Sequence, residues 1–116
     1  MRLGGYFSAE KEDDLQALSE KLDVHGLSAI PAPGRLSAMS PEECFAFGQK
    51  AMDLGIVVGE AGMWHNLLTG DQERQEYLID LVRTMLKNAD RMGCHCVVTL
   101  VGTKDPQAPS IVAPRR

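Results

Sequence analysis

The feature that most constrains the fold is a helix-like segment that ends in glycine and is followed at once by an apolar segment. This junction occurs at Gly26, Gly55 and Gly93. Glycine is common just past a helix end because it adopts the left-handed backbone conformation without a steric penalty. Helices that alternate with short apolar strands favour parallel strands joined by crossover helices. We therefore predict an α/β fold built on one parallel sheet.

The pattern between the junctions predicts about four strands and three helices. The second helix has the clearest start, with Ser40 as the cap, Pro41 at the first helical position and Glu43 three residues after the cap. The fourth strand has almost no polar alternation, which predicts a strand covered on both faces. The predicted strands are residues 2–8, 27–30, 56–59 and 94–101. The predicted helices are residues 10–25, residues 41–54 and a third that begins at residue 71 or 72 and ends at residue 92.

Composition narrows the possible partners and the location of the protein. A chain of 116 residues with a net charge of −4 and no basic stripe is not expected to bind nucleic acid or an anionic membrane. Its apolar runs are far shorter than the roughly 20 residues of a membrane span, and its start lacks the apolar stretch of a signal peptide. Three cysteines without framework spacing predict a reduced, cytoplasmic protein.

Metal and nucleotide motifs are weak in this chain. Cys94, His95 and Cys96 stand together, but alternate side chains of a strand point to opposite faces, so the histidine is expected to face away from both thiols. We predict that these cysteines are small core residues, and we assign no metal ligand. The glycines do not form a dinucleotide-binding pattern that opens a helix.

Three segments together resemble one protein family. They read "MRLGGYFS", "KAMDLGIVVGEAGMWHNLL" and "LKNADRMGCHCVVTLVGT" and lie within residues 1–103. They resemble the N-terminal half of the sugar phosphate isomerase/epimerase proteins, which have the xylose isomerase-like TIM barrel. The resemblance implies a partial (β/α)8 barrel and, for full-length members, metal-dependent isomerisation or epimerisation of a carbohydrate. The alternative fold, suggested by chain length, is a flavodoxin-like open parallel sheet.

The chain departs from that family in its extent. A (β/α)8 barrel has eight strands and about 250 residues, whereas this sequence predicts four strands. The resemblance implies that the divalent metal, Mn or Mg, is held on later strands, so no cofactor is expected for this chain alone. We predict a half-barrel domain at residues 1–103 and an irregular proline-rich tail at 104–116, and we expect the isolated, truncated chain to be inactive.

The predicted site lies where parallel strands end. In such barrels the functional residues gather at the carboxyl ends of the strands. An indole can cover the apolar face of a sugar ring, and a carboxylate, an imidazole and an amide can bond its hydroxyls, with the imidazole also a possible acid or base. The predicted catalytic residues are Glu60 and His65, and the predicted substrate-binding residues are Tyr6, Glu60, Trp64, His65, Asn66 and Thr103.

Two hypotheses for function follow. One is a sugar phosphate isomerase/epimerase-like enzyme that needs its missing C-terminal half or a second copy. The other is a non-catalytic half-barrel that self-associates and at most binds a small sugar or polyol. An open sheet leaves unpaired edges and an uncovered apolar face, so both hypotheses predict a homodimer or a completing partner.

Overall fold

The computed structural model describes residues 1–104, in which a parallel sheet carries its helices on one face. Within this range the sheet has three strands in the order β1-β2-β3, and both pairs are parallel. The strands are β1 at Ala29–Pro31, β2 at Val57–Met63 and β3 at Val97–Thr99, and the helices are α1 at Leu15–Val24, α2 at Pro41–Asp53 and α3 at Gln72–Met92. The predicted α/β fold, a partial (β/α)8 barrel, is confirmed.

The first predicted strand, residues 2–8, is reduced to a single parallel bridge between Gly4 and Ala29. The carbonyl oxygen of Leu3 accepts from the Ala29 amide at 3.2 Å, and the Gly5 amide donates to the Ala29 carbonyl oxygen at 3.1 Å. Two successive glycines weaken a strand because they add backbone entropy and no packing side chain. The N-terminal segment nevertheless lies beside β1 and gives four parallel segments in chain order.

That order is wrong for the flavodoxin-like alternative. A flavodoxin-like sheet inserts its first strand between the second and the third. Here β1 pairs directly with β2, and the N-terminal segment lies on the outer side of β1. The winding therefore proceeds in one direction, as it does in a barrel.

The helix boundaries follow the predicted local signals. Ser40 caps α2, because its Oγ accepts from the Glu43 amide at 3.1 Å, and the Glu43 carboxylate reaches back to the Ser40 amide. Arg35 donates to Glu43 at 2.7 Å, and this bond is the main reason that the pKa of Glu43 lies below its ordinary value. The third helix begins at Gln72, in agreement with the predicted start, and Asp71 caps it. The first helix differs, since its opening turn, Glu12–Asp14, is a 3-10 helix.

The predicted glycine stops are confirmed at all three junctions. Gly26, Gly55 and Gly93 have φ values of 67°, 72° and 82°. A left-handed residue ends each helix and turns the chain into the next strand. The repeated sequence feature is therefore the physical origin of the repeated fold.

The core lies between the helices and one face of the sheet. Its largest fully buried apolar side chains include Leu15, Leu22 and Phe47. One buried amide, Asn88 of α3, donates to the carbonyl oxygens of Leu36 at 2.8 Å and Met39 at 3.1 Å. It ties α3 to the 3-10 turn that precedes α2.

The other face of the sheet is open in the described part of the chain. Val57 is 41% exposed, and Gly59 and Cys96 are also exposed. The prediction that the fourth strand is covered on both faces is therefore wrong within residues 1–104, where β3 is only half-buried, and Cys96 is not a core residue. The physical reason is that a barrel strand is apolar on both faces because a closed barrel buries both. Four parallel segments do not close a barrel, so one face of the strand stays exposed.

No helix in the described range is long and apolar enough to cross a membrane. The predicted irregular tail lies, apart from Lys104, outside the described residues.

Candidate functional site

A cavity of about 480 Å³ lies at the carboxyl-end mouth of the sheet. Four of the predicted site residues line it together: Tyr6, Glu60, Trp64 and His65. They come from three places in the sequence, namely the N-terminal segment, β2 and the loop that follows β2. The parallel arrangement brings them together because each strand ends at the same rim.

Trp64 owes its position to a glycine two residues earlier. A Cβ atom added to Gly62 would lie 2.7 Å from the indole Cε2 and Nε1 atoms, too close for a real contact. The indole therefore lies against the backbone of β2 in space that only glycine leaves free. Trp64 is 60% exposed, so much of the ring still faces the mouth.

Glu60 lies inside β2 and not at its end. The sequence predicted that the strand would stop near Gly59, whereas the strand continues to Met63. The register between β1 and β2 shifts between Ile30 and Pro31, and Pro31 is paired with Glu60. The half-buried carboxylate consequently lines both the mouth and a second cavity of about 340 Å³ on the inner face of the sheet.

The two cavities adjoin one another through shared residues. Tyr6, Pro31 and Glu60 line both of them. The inner cavity also contacts the exposed Cys96, while Cys94 is buried and its thiol donates to the Cys96 carbonyl oxygen at 3.4 Å. Burial raises the pKa of the Cys94 thiol, and the Glu60 carboxylate adds to the rise.

Asn66 and Thr103, the other two predicted site residues, do not line this cavity. They bind each other across two loops. The Asn66 side chain donates to the Thr103 carbonyl oxygen at 2.7 Å and accepts from the Thr103 amide at 2.8 Å. This pair, which we term the rim clasp, ties the loop after β2 to the segment after β3.

Gly102 makes the rim clasp possible. Its φ is 84°, and a Cβ atom at this position would overlap the Asn66 side-chain oxygen. A predicted ligand-binding pair thus serves, in the described residues, to hold the loop that carries Trp64 and His65. The substrate-binding role of Asn66 and Thr103 stays a prediction.

Some residues of the mouth were not anticipated from the sequence. Pro31, Ser37, Gly62 and Met63 also line the cavity. The Gly-x-Trp spacing at Gly62 was the available signal, since an aromatic ring can fold back over a residue without a Cβ. Pro31 could not be foreseen, because its place depends on the register shift between two strands.

A resident divalent metal does not fit the described residues. Within residues 1–104 no three His, Cys, Asp or Glu side chains converge into a group able to hold a metal ion. Among the described residues, two side chains of the His, Cys, Asp or Glu type line the mouth, namely Glu60 and His65. Two such groups are fewer than the ligand sets of catalytic metals.

Comparison with known proteins supports the fold. No family model matches the sequence, and no curated protein does. A solved structure of D-psicose 3-epimerase, determined in the presence of D-fructose, is similar with a TM-score of 0.69 and 19% sequence identity. The match covers 94% of this chain and 41% of that one, so this chain spans about two fifths of its neighbour's length. The neighbour is a TIM barrel, and the likeness shows that the described chain has a partial form of this fold.

Proposed function

We propose that this chain binds a sugar or polyol at its carboxyl-end mouth, as part of a carbohydrate isomerase or epimerase. One observation carries the proposal: Tyr6, Glu60, Trp64 and His65 line a single cavity. The fold that the chain shares with a sugar epimerase supports it.

The chemistry of each side chain suits a polyol. The exposed part of the Trp64 indole offers an apolar surface to the C–H face of a sugar ring. The carboxylate of Glu60 accepts hydrogen bonds from hydroxyl groups, and Tyr6 and His65 can both donate and accept. Because Glu60 is an anion in a chain of net charge −4, we propose a neutral sugar over a sugar phosphate.

Isomerisation or epimerisation would use Glu60 and His65 as proton-transfer groups. Both reactions remove a proton beside a carbonyl group and return it elsewhere or on the other face, which requires an acid and a base within hydrogen-bonding reach. The Mn or Mg ion implied by the family resemblance would bind outside the described residues, so our proposal for this chain is limited to binding and proton transfer. We place the protein in the cytoplasm, in keeping with its free thiols.

Binding can be tested through the single tryptophan of the sequence. We expect saturable changes in Trp64 fluorescence on titration with D-fructose or D-psicose, and a weaker response to D-fructose 6-phosphate. In calorimetry, Trp64→Leu should weaken binding about ten-fold, because the stacking surface is lost.

Tyr77→Leu is the matched control, since Tyr77 is 58% exposed, similar to Trp64, and does not line the mouth. Its affinity should equal that of the unmodified chain. Equal losses in both variants, or no saturable signal with any of the three sugars, would contradict the proposed site.

Activity separates the enzyme from a binding module. The Tyr6 side chain is 90% exposed, so solvent reaches the site. Because proton transfer is aided when water is excluded, this exposure favours the non-catalytic alternative. We would measure interconversion of D-fructose and D-psicose with Mn²⁺ or Mg²⁺ added, in the unmodified chain and in Glu60→Gln. Turnover lowered about 10²–10⁴-fold by Glu60→Gln supports the enzyme; binding without turnover supports the binding module.

A further inference from the structure

The inner face of the sheet has the apolar character of a buried surface. Val57, Gly59 and Cys96 are exposed there, and the cavity of about 340 Å³ on this face is lined mainly by apolar residues and glycines. In a closed barrel the same positions form a packed interior. Left to solvent, this face would lose the stabilisation that apolar burial gives.

Both edges of the sheet are also apolar and unpaired within the described chain. At the N-terminal edge, Leu3 is 58% exposed. In a parallel bridge, the residues before and after the bridged residue make the hydrogen bonds, and here Leu3 and Gly5 bond to Ala29 of β1. The backbone N–H and C=O groups of Gly4 therefore point away from β1. An edge of this kind is a template for another strand.

The opposite edge, beside β3, shows the same character. Val101 is 68% exposed just after β3. On α3, Ile79 is 40% exposed and lies in a surface groove with Lys104, and Leu86, seven residues further along the helix, is 51% exposed. The spacing of seven places both apolar side chains on one helical face. This face lies where the next unit of a barrel would pack.

We infer that a second copy of this chain completes the barrel. A closed barrel of this class needs eight parallel strands, and two copies supply eight parallel segments, four from each. Twice 41% is about four fifths of the length of the closed neighbour.

One symmetry of the two copies pairs both exposed edges of each sheet. A two-fold axis along the barrel axis sets the segment at Leu3 and Gly4 of each copy beside β3 of the other. Both junctions are then identical, and the ring closes after two copies, which prevents open-ended polymers. Both copies would bring Glu60 and Trp64 to the same mouth. This inference goes beyond the proposed function and does not depend on it, since it concerns the sheet and not the sugar.

Sedimentation equilibrium tests the association without any sugar. We expect a species of twice the 12.7 kDa mass of one chain. Leu3→Lys and Leu86→Lys should each weaken dimerisation about 100-fold or more, because the two-fold axis buries the new ammonium group twice. The matched control is Phe45→Lys on α2, the middle helix, where Phe45 is 65% exposed and lines neither of the two cavities described above. This control should change dimerisation less than about two-fold.

The reactivity of Cys96 distinguishes barrel closure from association through another face. This thiol lines the inner cavity and is exposed in one chain. In the dimer we expect it to react with a thiol reagent at least about ten-fold more slowly than in the monomeric Leu3→Lys variant, because closure excludes the reagent. Circular dichroism verifies that the variants fold. If they do not, the unmodified chain diluted until it dissociates takes their place.

Three outcomes would overturn the inference. The first is a compact monomer at every concentration, which would assign the remaining strands to a different polypeptide segment. The second is a dimer in which Cys96 stays as reactive as in the monomer. The third is a dimer that Phe45→Lys weakens as much as Leu86→Lys does.

Discussion

At the scale of single residues, two glycines make room for side chains of the loop after β2. Gly62 leaves the space that the Trp64 indole fills, and Gly102 leaves the space for the Asn66 side chain. Neither glycine contributes a functional group. Each acts because a methyl group in its place would collide with the neighbouring side chain.

The rim clasp gives a prediction at this scale. Gly102→Ala should lower the free energy of unfolding by about 3 kcal/mol, since it combines a left-handed alanine with the loss of two hydrogen bonds between Asn66 and Thr103. It should also shift the emission of Trp64, because the clasp holds the loop of that residue. Denaturant unfolding and fluorescence measure the two effects.

Gly26→Ala is the matched control for backbone strain. Gly26 has a φ of 67°, and nothing lies within 4 Å of an added Cβ atom. We expect a loss of only about 1 kcal/mol and an unchanged Trp64 emission. The clasp would lack the proposed importance if both variants lost the same stability.

At the scale of helices and strands, local signals set where elements begin and end, and tertiary pairing sets how far the strands extend. The cap at Ser40 and the stop at Gly55 delimit α2 closely. In contrast, β2 continues past its predicted end, because pairing with β1 and β3 holds the less strand-prone stretch from Gly59 to Gly62 in place. Strand formation depends on partners more than helix formation does.

The capping box at the start of α2 gives a prediction at this scale. Ser40→Ala should cost about 1 kcal/mol of unfolding free energy, because the Glu43 amide loses its acceptor. Ser19→Ala makes the same chemical change inside α1, where alanine is the better helix former, and should be neutral or slightly stabilising. Thermal or denaturant unfolding measures both; equal effects would show that the cap contributes nothing.

At the scale of the whole molecule, the described chain is a barrel with an open side. Its helical layer is packed on a sheet whose other face and both edges are exposed. The buried apolar area of such a unit is limited, so its stability is expected to be coupled to whatever closes the sheet. In the dimer that we infer, folding and association are linked by mass action.

This linkage predicts that the thermal midpoint depends on protein concentration. A ten-fold increase in concentration should raise the midpoint by about 3–5 °C, because dimers bury the exposed edges only when folded. The monomeric Leu86→Lys variant should show a constant midpoint over the same range. A constant midpoint in the unmodified chain, measured calorimetrically, would argue against coupling.

Much of the fold and part of the site were predictable from residues alone. The parallel α/β class, the cap at Ser40, the glycine stops and the grouping of Glu60 with Trp64 followed from short-range patterns, because helix ends and strand polarity are encoded within a few residues. The solvent exposure of Cys96 and the weak first strand were not predicted correctly. The burial of a strand depends on which other segments cover it. The apolar sequence at residues 94–101 is typical of a strand that is buried on both faces in a closed barrel.

The amino-acid sequence by itself determined the alternation of helices and strands, because capping and left-handed glycines act locally and do not depend on distant contacts. Only the tertiary structure decided that Glu60 lies within β2, that Asn66 binds Thr103, and that one face of the sheet is open. Each of these depends on registers and approaches between segments distant in the chain, and side-chain patterns within one segment do not specify them.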